Sequence, residues 1–183
     1  MVSFEEIQAA YYMVAATGVI VAAIFYVLNM RETTRNRRIS LTRSMMETFS
    51  SVEGYKRLLQ LMYMKWDDFD DFMKKYDSTV NPENAAIRNH VWDALEVIGH
   101  QWREGILDKN TIYDVIASIS SNLWVKFKPI IEMYRKTELG EDAYDGWEYL
   151  AKEIAKIKSK RAPGYKGLPG AVKPEEYEKT YGI

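Results

Sequence analysis

The chain has 183 residues, 47% of them hydrophobic and 28% charged, a composition that describes one ordinary folded unit and excludes wholesale disorder. Its 25 basic and 26 acidic side chains nearly cancel, so bulk charge does not make it a nucleic-acid binder, and no nucleic-acid partner is expected. The absence of cysteine excludes disulfide staples, thiol catalysis, iron-sulfur clusters and thiolate zinc sites, while two histidines leave little for a metal centre.

The first element in the chain is apolar. No charged residue occurs from Ile7 to Met30, and Ala9 to Leu28 is broken only by Thr17, Gly18 and three tyrosines. At 1.5 Å per residue such a run covers roughly the 30 Å hydrocarbon core of a bilayer, and only a helix satisfies its backbone groups there. Tyr11 and Tyr12 near one end and Tyr26 near the other occupy the places where amphipathic rings prefer the two interfaces. A cleaved signal peptide needs a basic region ahead of its apolar stretch, whereas Glu5 and Glu6 precede this one. A core helix of this length rarely lacks a polar face altogether. The sequence therefore predicts one transmembrane helix within residues 1–30. Ala15, Gly18 and Ala22 share a stripe of it, and small residues at that spacing permit close approach of another helix, including one from a second copy of the chain.

Residues 31–43 carry Arg31, Arg35, Arg37, Arg38 and Arg43 against Glu32, while residues 1–30 hold no Lys or Arg. By the positive-inside rule, the carboxyl side stays in the cytoplasm and the short amino end is translocated. The expected location is the cell membrane, crossed once, with the lipid bilayer as first partner. At the membrane exit these arginines are read as a surface for anionic headgroups, ahead of any nucleic-acid contact.

Residues 44–160 read as a helical cytoplasmic domain, so the fold class is all-α. Leu41, Met45, Phe49, Val52, Tyr55, Leu59, Met62, Trp66, Phe69 and Met73 recur at steps of three and four, as on one apolar helix face. Breaks are predicted at Ser50 or Ser51, with Glu53 in the first turn, and at Asp67 and Asp68. Asn81-Pro82-Glu83 supplies a cap, a proline at the first helical position and a favourable acid, with Gly105 as the stop. Asp108 begins the next helix, which places Tyr113, Ile116, Ile119 and Leu123 on one side and which Pro129 kinks or divides. Gly140 closes that element, and a last helix covers roughly Asp142 to Lys160. Residues 161–183, rich in proline and glycine, are expected to be an extended, mobile tail whose Tyr165, Tyr177 and Tyr181 are available for docking.

Glu96, His100 and Glu104, four apart on one face, are the most tempting chemistry and would be the acid-base groups of a membrane-tethered enzyme. Neither His90 nor His100 has glutamate three residues before it, as carboxylate-bridged di-iron bundles require, and no His-Glu-x-x-His helix exists. Asp67-Asp68-Phe69-Asp70-Asp71 lacks the alternation and glycine of a calcium loop, and reads as solvated acids around inward-facing Trp66, Phe69 and Met73. Trp66, Trp92, Trp102, Trp124 and Trp147 are expected core anchors. Nucleophile elbows, phosphate loops and dinucleotide fingerprints are missing, so no catalytic residue, metal or cofactor is assigned.

Tyr11-Tyr12-Met13-Val14-Ala15-Ala16-Thr17-Gly18, Asn81-Pro82-Glu83-Asn84, Trp124-Val125-Lys126-Phe127-Lys128-Pro129-Ile130-Ile131 and Tyr149-Leu150-Ala151 carry a resemblance. In these stretches the chain resembles a domain-of-unknown-function family of small prokaryotic proteins with one amino-terminal span, a charged exit and a helical cytoplasmic domain. The resemblance implies architecture and carries over no functional site. The expected function is a membrane-anchored interaction module, a scaffold, regulator or accessory subunit bound to other membrane or cytoplasmic proteins. A tethered enzyme and an anionic-lipid sensor are the alternatives.

Overall fold

The computed structural model describes residues 3–182. Every regular element among them is helical. The helices are α1 (Phe4–Ser50), α2 (Val52–Met62), α3 (Phe69–Tyr76), α4 (Pro82–Arg103), α5 (Lys109–Tyr134), α6 (Asp145–Arg161) and α7 (Pro174–Tyr181), with a single π-helical turn at Arg135–Leu139. The chain parts into two compact units between Ser40 and Leu41, inside α1.

The first unit is a bare helix. Ser3 caps it with a reciprocal pair: the Glu6 N–H donates to Ser3 Oγ (3.2 Å) and the Ser3 N–H donates to Glu6 Oε2 (2.8 Å). This is the Ser-x-x-Glu box that stabilises helix starts, present in the sequence as Ser3-Phe4-Glu5-Glu6 but not read there. Every residue from Ser3 to Leu41 is exposed. Inside the apolar stretch Thr17 turns its hydroxyl back to the Met13 carbonyl at 2.8 Å, so it presents no unsatisfied donor.

The second unit is built around α6, against which α4 and α5 pack. Trp92, Trp102, Trp124 and Trp147 are buried, as expected of anchors, and Trp66 is half-buried, stacked on Phe127 with centroids 5.2 Å apart. Trp124 meets Trp147 edge-on at 5.2 Å and Trp92 meets Phe127 at 5.1 Å, so the centre of the unit is aromatic. The Trp147 indole donates to the Ser120 carbonyl at 3.3 Å. The carboxyl end of α1 belongs to this core through Met46 and Phe49, and Thr42 Oγ1 accepts from the Asp108 N–H at 3.1 Å, fixing the start of α5.

Most helix boundaries fall where local capping chemistry puts them. Ser51, Asp68, Asn81 and Asp108 cap α2, α3, α4 and α5, each accepting from the N–H three residues on. Gly105, at φ +68°, follows the end of α4, and Gly140, at φ +86°, closes the π-turn.

Four expectations need correction. The apolar stripe does not stay in phase across the Ser51 cap: Val52, Tyr55 and Leu59 are exposed, and α2 buries Gly54, Leu58 and Leu61 beside Met62, the one stripe residue of α2 that is buried. Around the acidic run Phe72 is the fully buried residue, while Trp66, Phe69 and Met73 are half-buried. Pro129 does not divide its helix: it is exposed, and α5 runs on through it to Tyr134. The carboxyl-terminal segment is not extended throughout: Pro174–Tyr181 is a helix with Pro174 in its first turn, and Tyr177 and Val172 are buried with Val125 of α5. Prolines and glycines stop α6 as expected, but Pro174 is also a good helix start.

Candidate functional site

Three places in the molecule carry functional chemistry or charge. The first is α1 between Ile7 and Met30, the one helix among the described residues long and apolar enough to cross a membrane. The arginines after it stand on the same uninterrupted helix, with no loop between apolar and basic parts. At about 100° per residue, Arg31, Arg35 and Arg38 fall within an arc of about 60°, while Arg37 and Arg43 point elsewhere. Ala15, Gly18 and Ala22 are exposed, and a Cβ built on Gly18 meets nothing within 4 Å.

The second place is a polar seam where α4 crosses α6. Glu96 projects from α4 onto the amino end of α6, where its Oε1 accepts from the Gly146 N–H (3.2 Å) and its Oε2 from the Trp147 N–H (2.7 Å). Helix α6 has no cap from its own sequence, since Tyr144 sits at its start in the left-handed region (φ +59°). Glu96 therefore does from another helix what an N-cap carboxylate does locally, and opposes the positive end of the helix dipole. His100 Nε2 lies 2.8 Å from Glu96 Oε1 and 3.5 Å from Asp145 Oδ1, and Arg103 donates to Asp145 Oδ2 at 3.1 Å. Burial by itself would raise the Asp145 carboxyl, but the Arg103 hydrogen bond and charge, with His100 nearby, hold it below its ordinary value.

Glu96, His100 and Asp145 thus bring three ligand-type atoms within 4.8 Å of one another. Their commitments argue against a cation: both Glu96 oxygens already accept backbone N–H groups, and the guanidinium of Arg103 and the α6 dipole both bring positive charge to the spot. Glu104, the third member of the sequence-derived set, is exposed on the last turn of α4 and outside this cluster. Asp145, forty-five residues beyond His100, takes its place. Next along α6, Glu148 pairs with Arg135 (2.8 Å) and Lys152 (2.6 Å). Burial pushes its carboxyl up, those two bonds outweigh it, and the result lies below the ordinary glutamate value.

The third place is a shallow cleft of about 400 Å³ between α2 and α4, lined by Glu53, Lys56, Arg57, Gln60, Glu83, Ala86, Ile87 and His90. It holds His90, but its charges of both signs do not converge on one point. On α2 lies an unpartnered apolar face: Val52, Tyr55, Leu59 and Tyr63 are 77%, 54%, 43% and 56% exposed and recur at helical spacing. Lys126 is the most perturbed cation, its ammonium brought down to about 8 by burial. It is a fastener for the α2–α3 loop, donating to the Met64 carbonyl (2.6 Å) beneath the Trp66 ring.

A family model described as a domain of unknown function, DUF4760, matches residues 12–154. No curated protein and no solved structure matches the chain.

Proposed function

We propose, from the premise that the chain belongs to the DUF4760 family of domains of unknown function, that it is a single-pass membrane protein whose helical unit is a protein-interaction module held at the inner face of the bilayer. The observation that carries this reading is α1: a charge-free stretch from Ile7 to Met30, exposed on all sides, that runs without a break into an arginine-bearing segment. The family match supports it, because the matched residues include the larger part of that stretch together with the helical unit as far as α6.

The orientation rests on charge. Five arginines and one glutamate in residues 31–43 face two glutamates and no base in residues 1–30, so the amino terminus is translocated and the helical unit stays inside. The arginines then rest against anionic headgroups, each contributing on the order of 1 kcal/mol. The exposed apolar face of Val52, Tyr55, Leu59 and Tyr63 supports an interaction role, since apolar side chains grouped on one helix face are what a partner would cover. Confinement to the membrane plane raises the effective concentration of such a face toward other membrane proteins.

Fractionation and crosslinking in native membranes test this. The full chain should stay with the membrane after alkaline washing, and a photoactivatable side chain at Tyr55 should link to protein, while one at exposed Glu141 should not. Recovery of the chain in the supernatant without detergent would remove the anchor. Recovery of an unlinked monomer from the Tyr55 probe would remove the interaction role.

A further inference from the structure

We infer that the face of α5 around Asn122 is a peptide-recognition groove, and that the chain's own carboxyl-terminal segment, residues 162–182, is its displaceable ligand. Asn122 is fully buried and spends its amide on the segment: Oδ1 accepts the Leu168 N–H (2.7 Å) and Nδ2 donates to the Tyr165 phenol oxygen (2.8 Å) as well as to the Ser118 carbonyl. One turn of specificity follows from Gly167 between them. Its φ is +97°, and a Cβ there would sit 3.1 Å from Asn122 Oδ1 and 3.2 Å from the Tyr177 ring, so the bound segment reads Tyr-x-Gly-Leu and favours glycine at its third position. At the far end the Tyr181 hydroxyl donates to the Ser121 carbonyl at 2.6 Å. Lys158 of α6, itself bonded to Ser118 Oγ, lies 3.8 Å over the Tyr165 ring and forms the other wall.

The segment has the build of a ligand with its own structure. Lys166 pairs with Glu178 at 2.6 Å, and the rings of Tyr165, Tyr177 and Tyr181 stack edge-on in sequence, at 5.5 and 4.8 Å. Tyr177 and Val172 form a small cluster with Val125, apart from the main aromatic core, and only Leu168, Ala171 and Tyr181 touch the edge of that core. The connection to α6 runs through exposed Ala162-Pro163-Gly164, where Gly164 takes φ +88° with nothing within 4 Å of its Cβ position. The family match covers residues 12–154, which include α5 and not residues 162–182. An apolar cluster separate from the main core, polar anchors at Asn122 and Ser121 and an exposed hinge are what lets such a unit open by itself below global unfolding.

Hydrogen exchange on the unaltered full chain in detergent micelles is the first test. The amides of residues 168–182 should exchange together and at least tenfold faster than those of α4 and the middle of α6. Exchange in step with those core helices would make the segment an ordinary part of the fold and overturn the inference. The second test is binding in trans. A fluorescent peptide of residues 162–183 should bind saturably to the Gly167→Ala full chain, whose own segment fits poorly, and the same peptide carrying Gly167→Ala should bind at least tenfold more weakly. No binding, or equal binding of the two peptides, would overturn the groove.

Discussion

Gly99 and Gly146 meet backbone to backbone where α4 crosses α6. A Cβ on Gly99 would lie 2.0 Å from the Gly146 carbonyl oxygen, an atom of the α6 backbone that has no rotamer with which to move aside. Gly99→Ala should therefore force the two helices apart and cost about 3 kcal/mol, the upper end for overpacking. Gly105→Ala is the comparison, because Gly105 has open space around it and only a left-handed backbone to lose, worth roughly 1–2 kcal/mol. Urea midpoints of the two variants in one detergent would check the order, and a Gly99→Ala midpoint at or above that of Gly105→Ala would contradict the crossing. The polar seam makes a prediction about acid. Asp145 and Glu148 ionise below their ordinary values of 3.8 and 4.5 in the folded chain. A depressed carboxyl contributes stability that is complete above its unfolded pKa and is lost as pH falls through the folded one. Stability should be level near neutrality and decline below about pH 4.5. Arg135→Gln removes one of the bonds that hold Glu148 down, so this decline should become shallower between about pH 3 and 5. A slope unchanged by the substitution would show that Arg135 does not set that carboxyl.

At the scale of the element, α5 runs through Pro129 although proline removes a donor and crowds the preceding turn. The proline is exposed, so an alanine in its place disturbs no packing and restores the missing hydrogen bond. Pro129→Ala should raise stability by about 1–3 kcal/mol, read as a higher urea midpoint. A fall would mean that the proline's fixed backbone helps position the π-turn at Arg135–Leu139. Helix starts with a local cap were legible in the sequence: Ser51, Asp68, Asn81 and Asp108 each announce the helix that follows them. The start of α6 was not, because its cap is Glu96, fifty residues upstream, and no local rule sees across that distance. The same holds for the seam. Glu96 and His100 share a helix face, so their pairing could be read from spacing alone, whereas Asp145 joins them only through the α4–α6 crossing. Periodicity failed at α2 for a different reason. A cap between two helices resets the rotation, so one continuous stripe of apolar letters became two faces, and on the second Val52, Tyr55 and Leu59 are solvent-exposed while Met62 is buried.

For the whole molecule, the proposed topology rests on one charge-free stretch and one charge asymmetry. The orientation can be reversed on paper by moving charge and leaving every apolar residue in place. Changing Glu5 and Glu6 to Lys gives the amino end two bases, and changing Arg31, Arg35, Arg37 and Arg38 to Gln leaves residues 31–43 with Arg43 and Glu32 alone. Because topology follows the balance of Lys and Arg near the ends of the span, the chain carrying all six changes should insert with its helical unit outside. The absence of native cysteine makes this directly measurable. A cysteine introduced at Phe4 or at Lys160, both exposed, reports its side by reaction with a membrane-impermeant maleimide in intact cells. In the natural charge pattern Phe4→Cys should label before permeabilisation and Lys160→Cys only after it, and in the six-change pattern the order should invert. Labelling of Lys160→Cys from outside in the natural pattern would refute the inward-facing domain. Equal labelling in both patterns would show that something other than the arginines sets the topology.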